Sequence, residues 1–229
     1  TKMKILKNIE LMDLALKYKE YLIFGDLHLG CEESLRKGGI LLPRSQFKKI
    51  IARLDKIIEK AKPKIIIING DIKDEFGRIS DQEWSDVLPF IDHYAEKAQL
   101  IFVKGNHDAM LDILAKKKNI QVQERVDIDD ISIIHGDKIF KDLKKTIIMS
   151  HEHPAISFKE RPDEKFKCFL VGSYKSHNLI VLPSFNPLVE GSDITKEQFL
   201  SPYLKNIEDF TVYVVQDKIY NFGKVKVIN

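Results

Sequence analysis

Short apolar runs alternate with charged, amphipathic stretches through the first half of the chain. Tyr21–Phe24, Lys64–Ile68 and Leu100–Val103 have the largely apolar character of strands that are buried on both faces. Between them, apolar residues recur at helical spacing over about 45–61 and 81–97, which predicts helices with one face in the core. Strands that alternate with helices in this way are typical of an α/β fold.

The rest of the chain is predicted to be mostly strand. Residues 3–18 alternate loosely and predict edge strands, with Ala15–Tyr18 pairing to Tyr21–Phe24. The segment Cys31–Leu42 is predicted to be a loop, and a short helix is predicted at about 109–117. Further strands are predicted at Ile120–Val122, Ile131–Ile134, Thr146–Met149, Lys167–Val171, Leu179–Leu182, Phe210–Val215 and Lys218–Phe222.

Length and composition predict one domain over residues 1–229. The net charge is +3 with 31% charged residues, so a surface for nucleic acid would have to be local. The cysteines, Cys31 and Cys168, form no CxxC pair or disulfide framework, which indicates a reducing, cytoplasmic setting. The sequence lacks a signal-peptide core and an apolar run of membrane-spanning length.

Residues that can bind a metal follow five of the predicted strands. A single such cluster is more typical of a turn or of a hydrogen-bonded structural histidine, but five strand-end clusters together favour a site. Strand alternation predicts that Asp26 and His28 point the same way. The clusters are Asp26 and His28, then Asp71, then Asn106 and His107, then His135, and finally His151 and His153.

A set of this size suits a centre with two divalent ions. Such ions lie about 3.5–4 Å apart, share a carboxylate and acidify a water molecule between them. Imidazole, carboxylate and amide oxygens suit Mn, Fe, Co or Zn, whereas the absence of cysteine from the clusters argues against a structural zinc site.

The order of these motifs resembles that of the calcineurin-like metallophosphoesterase superfamily. The resemblance implies a four-layer αββα sandwich, with two mixed β-sheets flanked by helices and a dimetal site at the carboxyl ends of the strands. Ser150 stands where the family usually has glycine, which leaves the local backbone geometry open. The matching motifs are Asp26-x-His28, Gly70-Asp71, Gly105-Asn106-His107-Asp108, His135-Gly136 and His151-x-His153.

The resemblance also implies a role for each residue. Asp71 would bridge the two metals, and a hydroxide between them would attack phosphorus in line without a covalent enzyme intermediate. His107 would lie near the leaving-group oxygen as general acid or charge stabiliser and be oriented by Asp108. Asp74 would be a structural residue or would hydrogen-bond to a metal ligand without contacting the metal itself. The first metal would be bound by Asp26, His28 and His153, and the second by Asn106, His135 and His151.

Finer features are similar to one branch, the small SbcD-related, ICC-like phosphoesterases. These features are Gly25–Gly30, His151–Ile156 and Leu182–Leu188 with Gly191. Such relatives occur in archaea and, in bacteria, beside DNA ligase, and the bacterial ones are manganese-dependent single-strand DNA endonucleases. The resemblance therefore implies a manganese-dependent nuclease in DNA repair, with DNA-repair proteins as partners.

The segment after His153 is short and its pattern predicts strands that complete the core, so no capping domain is expected. An open site predicts cleavage of single-stranded DNA or a small phosphodiester in preference to blunt duplex. Cations on segments that leave the site could contact the substrate backbone, although such residues are usually just solvated. The candidates are Arg36, Lys37 and Lys159.

Other function classes stay open. One is an enzyme for another substrate, such as a phosphomonoesterase or a cyclic-nucleotide phosphodiesterase. A lipid-precursor pyrophosphatase fits less well, because those relatives tend to have arginine at the position of His107. Another is a non-catalytic, metal-binding scaffold of a repair complex, against which the complete set of predicted ligands argues.

Overall fold

The computed structural model describes residues 2–40, 44–77, 79–196 and 198–228. Within these ranges, one sheet of seven strands begins with an antiparallel meander and continues as parallel strands. The predicted pairing of Ala15–Tyr18 with Tyr21–Phe24 is confirmed. In spatial order its strands are β1 (Lys2–Leu6), β2 (Ile9–Met12), β3 (Ala15–Tyr18), β4 (Tyr21–Phe24), β5 (Ile65–Asn69), β6 (Gln99–Val103) and β7 (Gln121–Gln123).

A second mixed sheet is built from the later part of the described chain. Its strands are β8 (Arg125–Ile128), β9 (Ile131–Ile134), β10 (Thr146–Met149), β11 (Pro154–Phe158), β12 (Arg161–Tyr174), β13 (His177–Val181), β14 (Ser192–Asp193), β15 (Thr211–Val215) and β16 (Ile219–Lys224). β10 lies between β9 and β13 and is parallel to both. The strand β11, which follows the last histidine motif directly, is missing from the sequence-based prediction.

The helices of the described residues are α1 (Cys31–Lys37), α2 (Gln46–Ala61), α3 (Asp81–Ala95), α4 (Leu111–Lys117) and α5 (Val225–Ile228). The helices expected near 45–61, 81–97 and 109–117 are confirmed. None of the helices in these ranges is both long enough and apolar enough to cross a membrane.

The loop predicted at Cys31–Leu42 is wrong over its first seven residues, which form α1. Gly30, at a left-handed φ of 92°, turns the chain into this helix. Acidic residues in the first turn and basic residues in the last favour the helix through its dipole, which is a signal the sequence did offer. Leu41 and Leu42 lie outside the described residues.

Alternation along the second sheet divides its side chains between two cores. Ile148 and Ile180 pack in the cluster that contains the first sheet and helices α2 and α3. Their neighbours Ile147 and Leu179 face a second cluster, which the segment 203–210 and α5 complete on the outer side. The two mixed sheets therefore pack face to face with helices outside them, which confirms the predicted fold class.

Helix α3 begins with a capping box that also reaches the loop before it. The hydroxyl of Ser80 accepts from the amide of Glu83 at 3.2 Å, and the Glu83 carboxylate accepts from the amide of Ser80 at 2.6 Å. The other carboxylate oxygen of Glu83 accepts from the amides of Asp74 and Glu75 at 2.9 and 2.6 Å. One buried side chain thus fixes both the helix end and the loop 74–77.

Replacing Ser80 with alanine is expected to lower the free energy of unfolding by about 1 kcal/mol, because the Glu83 amide loses its cap. Urea unfolding would measure this loss. Ser45 is the matched control: it precedes α2, but in the described structure its side chain makes no capping bond. Equal losses for Ser80→Ala and Ser45→Ala would contradict the role of the capping box.

Candidate metal centre

The predicted ligands follow strands whose carboxyl ends meet between the two sheets. β4, β5 and β6 are parallel neighbours in the first sheet, and β9 and β10 are parallel neighbours in the second. The Asn69 side-chain amide donates to the carbonyl of Ile134 at 2.8 Å, which ties the end of β5 to the end of β9. Convergence of strand ends from both sheets brings ligands from distant parts of the sequence together.

Most of the candidate ligands have a left-handed backbone. Among the described residues, the ligand positions with positive φ are Asp26 (54°), His28 (41°), Asp71 (46°), His151 (69°) and His153 (48°). Residues other than glycine rarely adopt this conformation, and such positions cluster at functional sites. Strand alternation is therefore the wrong reason for the shared direction of Asp26 and His28: left-handed turns aim both side chains inward.

Two groups of possible ligands can be recognised in the described part of the chain. Asp26, His28, Asp71 and His153 form the first group, and Asp71, His135 and His151 form the second. In each group the ligand atoms all lie within 4.8 Å of one another. Asp71 belongs to both groups, as a carboxylate between two ions would. The side-chain oxygen of Asn106 lies 2.9 Å from Nε2 of His135, next to the second group.

The arrangement of lone pairs fits a pair of cations. Nδ1 of His28 lies 3.2 Å from the carboxylate of Asp74, which assigns the proton to Nδ1 and leaves a lone pair on Nε2. That Nε2 faces Nε2 of His153 at 3.4 Å, and a carboxylate oxygen of Asp26 lies 3.4 Å from the same His153 nitrogen. Several acceptors that converge on one point are stabilised by a cation there, and imidazole with carboxylate suits a divalent transition metal.

Burial and charge act in opposite directions on the second group. Burial raises the pKa of Asp71, but the hydrogen bond and positive charge of His135 outweigh it and hold that pKa well below its usual range. Burial lowers the pKa of His135, but Asp71 at 3.3 Å outweighs this and raises the pKa to about 9. Asp71 is therefore ionised, as a ligand carboxylate must be, whereas His135 would have to release its proton to bind a metal.

Two glycines of the motifs are required by close packing. A Cβ at Gly105 would lie 2.2 Å from a carboxylate oxygen of Asp71, and a Cβ at Gly70 would lie 2.0 Å from Nδ1 of His135. Both distances are far below van der Waals contact. The glycines let the backbone approach the ligands, which explains why Gly-Asp and Gly-Asn-His occur as units.

Ser150, which departs from the family pattern, has hydrogen-bonding partners on both β5 and His135. Its hydroxyl donates to the carbonyl of Asn69 and lies 3.3 Å from Nδ1 of His135. A Cβ at Gly25 would lie 3.0 Å from the Ser150 Cβ, so the glycine of the first motif leaves the space that the serine fills.

His107 lies beside both groups, and its orientation has another cause than the one expected. Its Nδ1 hydrogen-bonds to the backbone carbonyl of Asp74, and its Nε2 lies 3.9 Å from a carboxylate oxygen of Asp71. Burial lowers the pKa of His107, and the charge of Asp71 offsets part of this effect. The orienting group is thus the Asp74 carbonyl and not the side chain of Asp108.

Asp108 instead holds the loops on which the site is built. Its carboxylate accepts from the amides of Ile72 (3.1 Å), Lys73 (3.4 Å) and Gly105 (3.0 Å). Burial, and next the charge of Asp71, raise the pKa of Asp108 to about 6. Its role in the structure is to join the turn after β5 to the turn after β6.

The late motif Leu182–Leu188 hydrogen-bonds to the backbone of the first metal motif, Asp26-x-His28. The hydroxyl of Ser184 donates to the carbonyl of Asp26 at 2.9 Å, and the side-chain amide of Asn186 donates to the carbonyls of Leu27 and His28 at 2.7 and 3.1 Å. These bonds hold the left-handed turns that aim the first ligands. The sequence marks this motif as distinctive but gives no signal for its partner, which lies more than 150 residues away.

The basic candidates for substrate contact are placed differently from one another. Arg36 donates to the side-chain oxygen of Gln82 at 3.0 Å, and Lys37 lies 3.3 and 3.4 Å from Glu33 and Glu75. Both therefore have partners within the protein. Lys159 follows β11, the five-residue strand that begins directly after His153.

Comparisons with known proteins give one matching family and similar solved structures. A model of the calcineurin-like phosphoesterase family matches residues 20–215. A search of curated proteins finds no match. Among solved structures, the nuclease MPE of Pseudomonas putida has 17% identity and a TM-score of 0.72, with 97% of this chain and 99% of that chain covered. Yfce, a phosphoesterase from E. coli, has 13% identity and a TM-score of 0.44, with 91% and 99% covered.

The match to the family model includes every strand end that carries a candidate ligand, and the fold agrees over nearly the whole chain. The chain therefore belongs to the calcineurin-like phosphoesterase family and is a metal-dependent hydrolase that acts on ester bonds.

Proposed function

We propose that the chain is a manganese-dependent phosphodiesterase that cleaves single-stranded DNA. The observation that carries the proposal is the pair of ligand groups that share Asp71, with the ring of His107 beside them. Donors of this kind without a thiolate suit Mn²⁺. The choice of DNA is supported by the motif resemblance and by the Pseudomonas putida protein of the same fold, which is a nuclease.

Each ion would be held by one of the two groups. When bound, two divalent ions supply Lewis-acid chemistry, lowering the pKa of a water molecule and stabilising charge on the phosphoryl oxygens. The first group would be Asp26, His28, Asp71 and His153, and the second would be Asp71, Asn106, His135 and His151.

His107 would act on the leaving group. Because Nδ1 is hydrogen-bonded to the Asp74 carbonyl, its proton stays there, and the exchangeable position is Nε2, on the side of Asp71. In hydrolysis a water molecule adds to phosphorus, the bond from phosphorus to a sugar oxygen breaks, and that oxygen needs a proton. His107 in its doubly protonated form would donate the Nε2 proton to it, and the ring would regain a proton from the water molecule that adds to phosphorus, a contribution of about 10²–10⁴-fold in such reactions.

With manganese present, we expect single-stranded DNA to be cleaved roughly tenfold or more faster than a duplex of the same sequence, because separating and unstacking a base pair costs a few kcal/mol. Gel assays on the same oligonucleotide, alone and annealed, would measure the two rates. A strong preference for duplex would sink the proposal. Hydrolysis of a phosphomonoester or a cyclic nucleotide alone would point to the alternative phosphoesterases instead.

A function in DNA repair, and binding to repair proteins, stay predictions that follow from the motif resemblance. Arg36, Lys37 and Lys159 also stay candidates for contact with the DNA backbone. If they make such contacts, the affinity for DNA falls steeply as salt is raised.

A further inference from the structure

An exposed aromatic ring lies directly on the proposed general acid. The ring centroids of Phe76 and His107 are 3.6 Å apart, with 33° between the ring planes. Phe76 is 62% exposed, although one of its faces covers the imidazole. The remaining surface of the ring is therefore open to solvent at the edge of the metal centre.

The backbone immediately before this ring is held by hydrogen bonds. Glu83 accepts from the amides of Asp74 and Glu75, immediately before Phe76 in the chain. The carbonyl of Asp74 also receives the hydrogen bond of His107. The loop that carries Phe76 and the ring of His107 are thus held by the same short segment, so the two rings keep a fixed relation.

Because Phe76 is largely exposed, it does not contribute the free energy that burial of its ring would provide. It also has no charge or hydrogen-bonding atom with which to bind a phosphate. An apolar, flat and rigid surface beside a phosphoester centre is suited instead to the part of a nucleotide that is itself flat and apolar on its faces, which is the base. In a nucleotide, one sugar lies between the base and the phosphate. In the protein, one ring, that of His107, similarly lies between Phe76 and Asp71.

We propose that Phe76 is a stacking platform for a nucleobase next to the phosphate that is cleaved. This inference rests on the proposed function. Stacking tolerates any base because every base has a π face, so the platform would select unpaired nucleotides without reading their sequence. In a duplex both faces of a base are already stacked, and the base would have to leave the helix to reach Phe76. The platform would thus contribute directly to the preference for single strands.

The test compares a short oligothymidine with an abasic oligomer of the same length, with manganese present. Stacking of one base strengthens binding roughly 5- to 150-fold. The kcat/KM of the wild-type protein should therefore be higher by such a factor on oligothymidine than on the abasic oligomer. In Phe76→Leu, which keeps an apolar side chain, this ratio should fall towards one, and Phe76→Trp should retain it. Phe222→Leu, at another exposed phenylalanine, is the matched control and should keep the wild-type ratio.

The outcomes separate this inference from the function on which it rests. Equal cleavage of the two oligomers by the wild-type protein, or an equal loss on both in Phe76→Leu, would overturn the platform while leaving the nuclease in place. If neither oligomer is cleaved, the proposed function fails. Fluorescence anisotropy with the same oligomers then still decides, since the platform requires tighter binding of oligothymidine that is lost in Phe76→Leu, and equal binding overturns it.

Discussion

Replacing Asp71 with asparagine is expected to weaken the binding of both metal ions and to lower kcat/KM by more than about 100-fold. Replacing a residue that only hydrogen-bonds to a metal ligand already lowers metal affinity or activity about 10- to 100-fold. Asp71 is itself a candidate ligand and belongs to both groups. Asparagine keeps the shape of the side chain but removes the negative charge, which His135 stabilises in the wild-type protein. Each group then has one negative charge fewer with which to bind its ion.

Metal content per chain, measured by elemental analysis after manganese loading and desalting, would test this directly alongside kcat/KM. Asp129→Asn is the matched control, because it removes the same charge from an exposed hairpin, where Asp129 pairs with Lys19. That variant should retain both metals and full activity. Two tightly held metals per chain in Asp71→Asn would refute the shared position of Asp71.

The elements that follow from the sequence are those whose signal is local. Ile131–Ile134 and Thr146–Met149 have the predicted bounds, because each is a short apolar run between turn residues. The strand Pro154–Phe158 is different: it begins at a proline and pairs with the antiparallel β12 and the parallel β14. These pairing partners come later in the chain and produce no periodicity within Pro154–Phe158. The strand therefore cannot be recognised from its own sequence pattern.

The candidate site divides in the same way. The residue types that bind metals are few, so Asp26, His28, Asp71 and the later histidines can be identified from their place after apolar runs. The turns that aim them cannot, because a left-handed φ at an aspartate or histidine is stabilised by distant contacts such as that of Ser184 with the Asp26 carbonyl.

Backbone atoms are a further limit on reading the site from the sequence. The group that orients His107 is the carbonyl of Asp74, and every residue has a carbonyl. The resemblance therefore implies that the carboxylate of Asp108 performs a task that a peptide group performs in the structure. Glu83 is a related case: one carboxylate oxygen completes the capping box of α3, and the other fixes the loop that carries Asp74 and Phe76.

Replacing His107 with alanine is expected to lower kcat on single-stranded DNA by about 10²–10⁴-fold while metal content stays at the wild-type level. The ring belongs to neither ligand group of the described chain, so its loss removes a proton donor and not a metal ligand. A scaffold without catalytic function would have no activity to lose. His93→Ala, at a histidine on α3 that pairs with Asp55, should leave kcat and metal content intact.

The leaving group distinguishes proton donation by His107 from a merely structural effect. A sugar oxygen leaves as a strongly basic alkoxide and needs the proton, whereas p-nitrophenolate is weakly basic and leaves without one. The loss in His107→Ala should therefore be large on DNA and much smaller on a p-nitrophenyl phosphodiester assayed with the same enzyme. An equal loss on both substrates would mean that His107 acts on binding or on the fold, and that the proton comes from another group, such as solvent water.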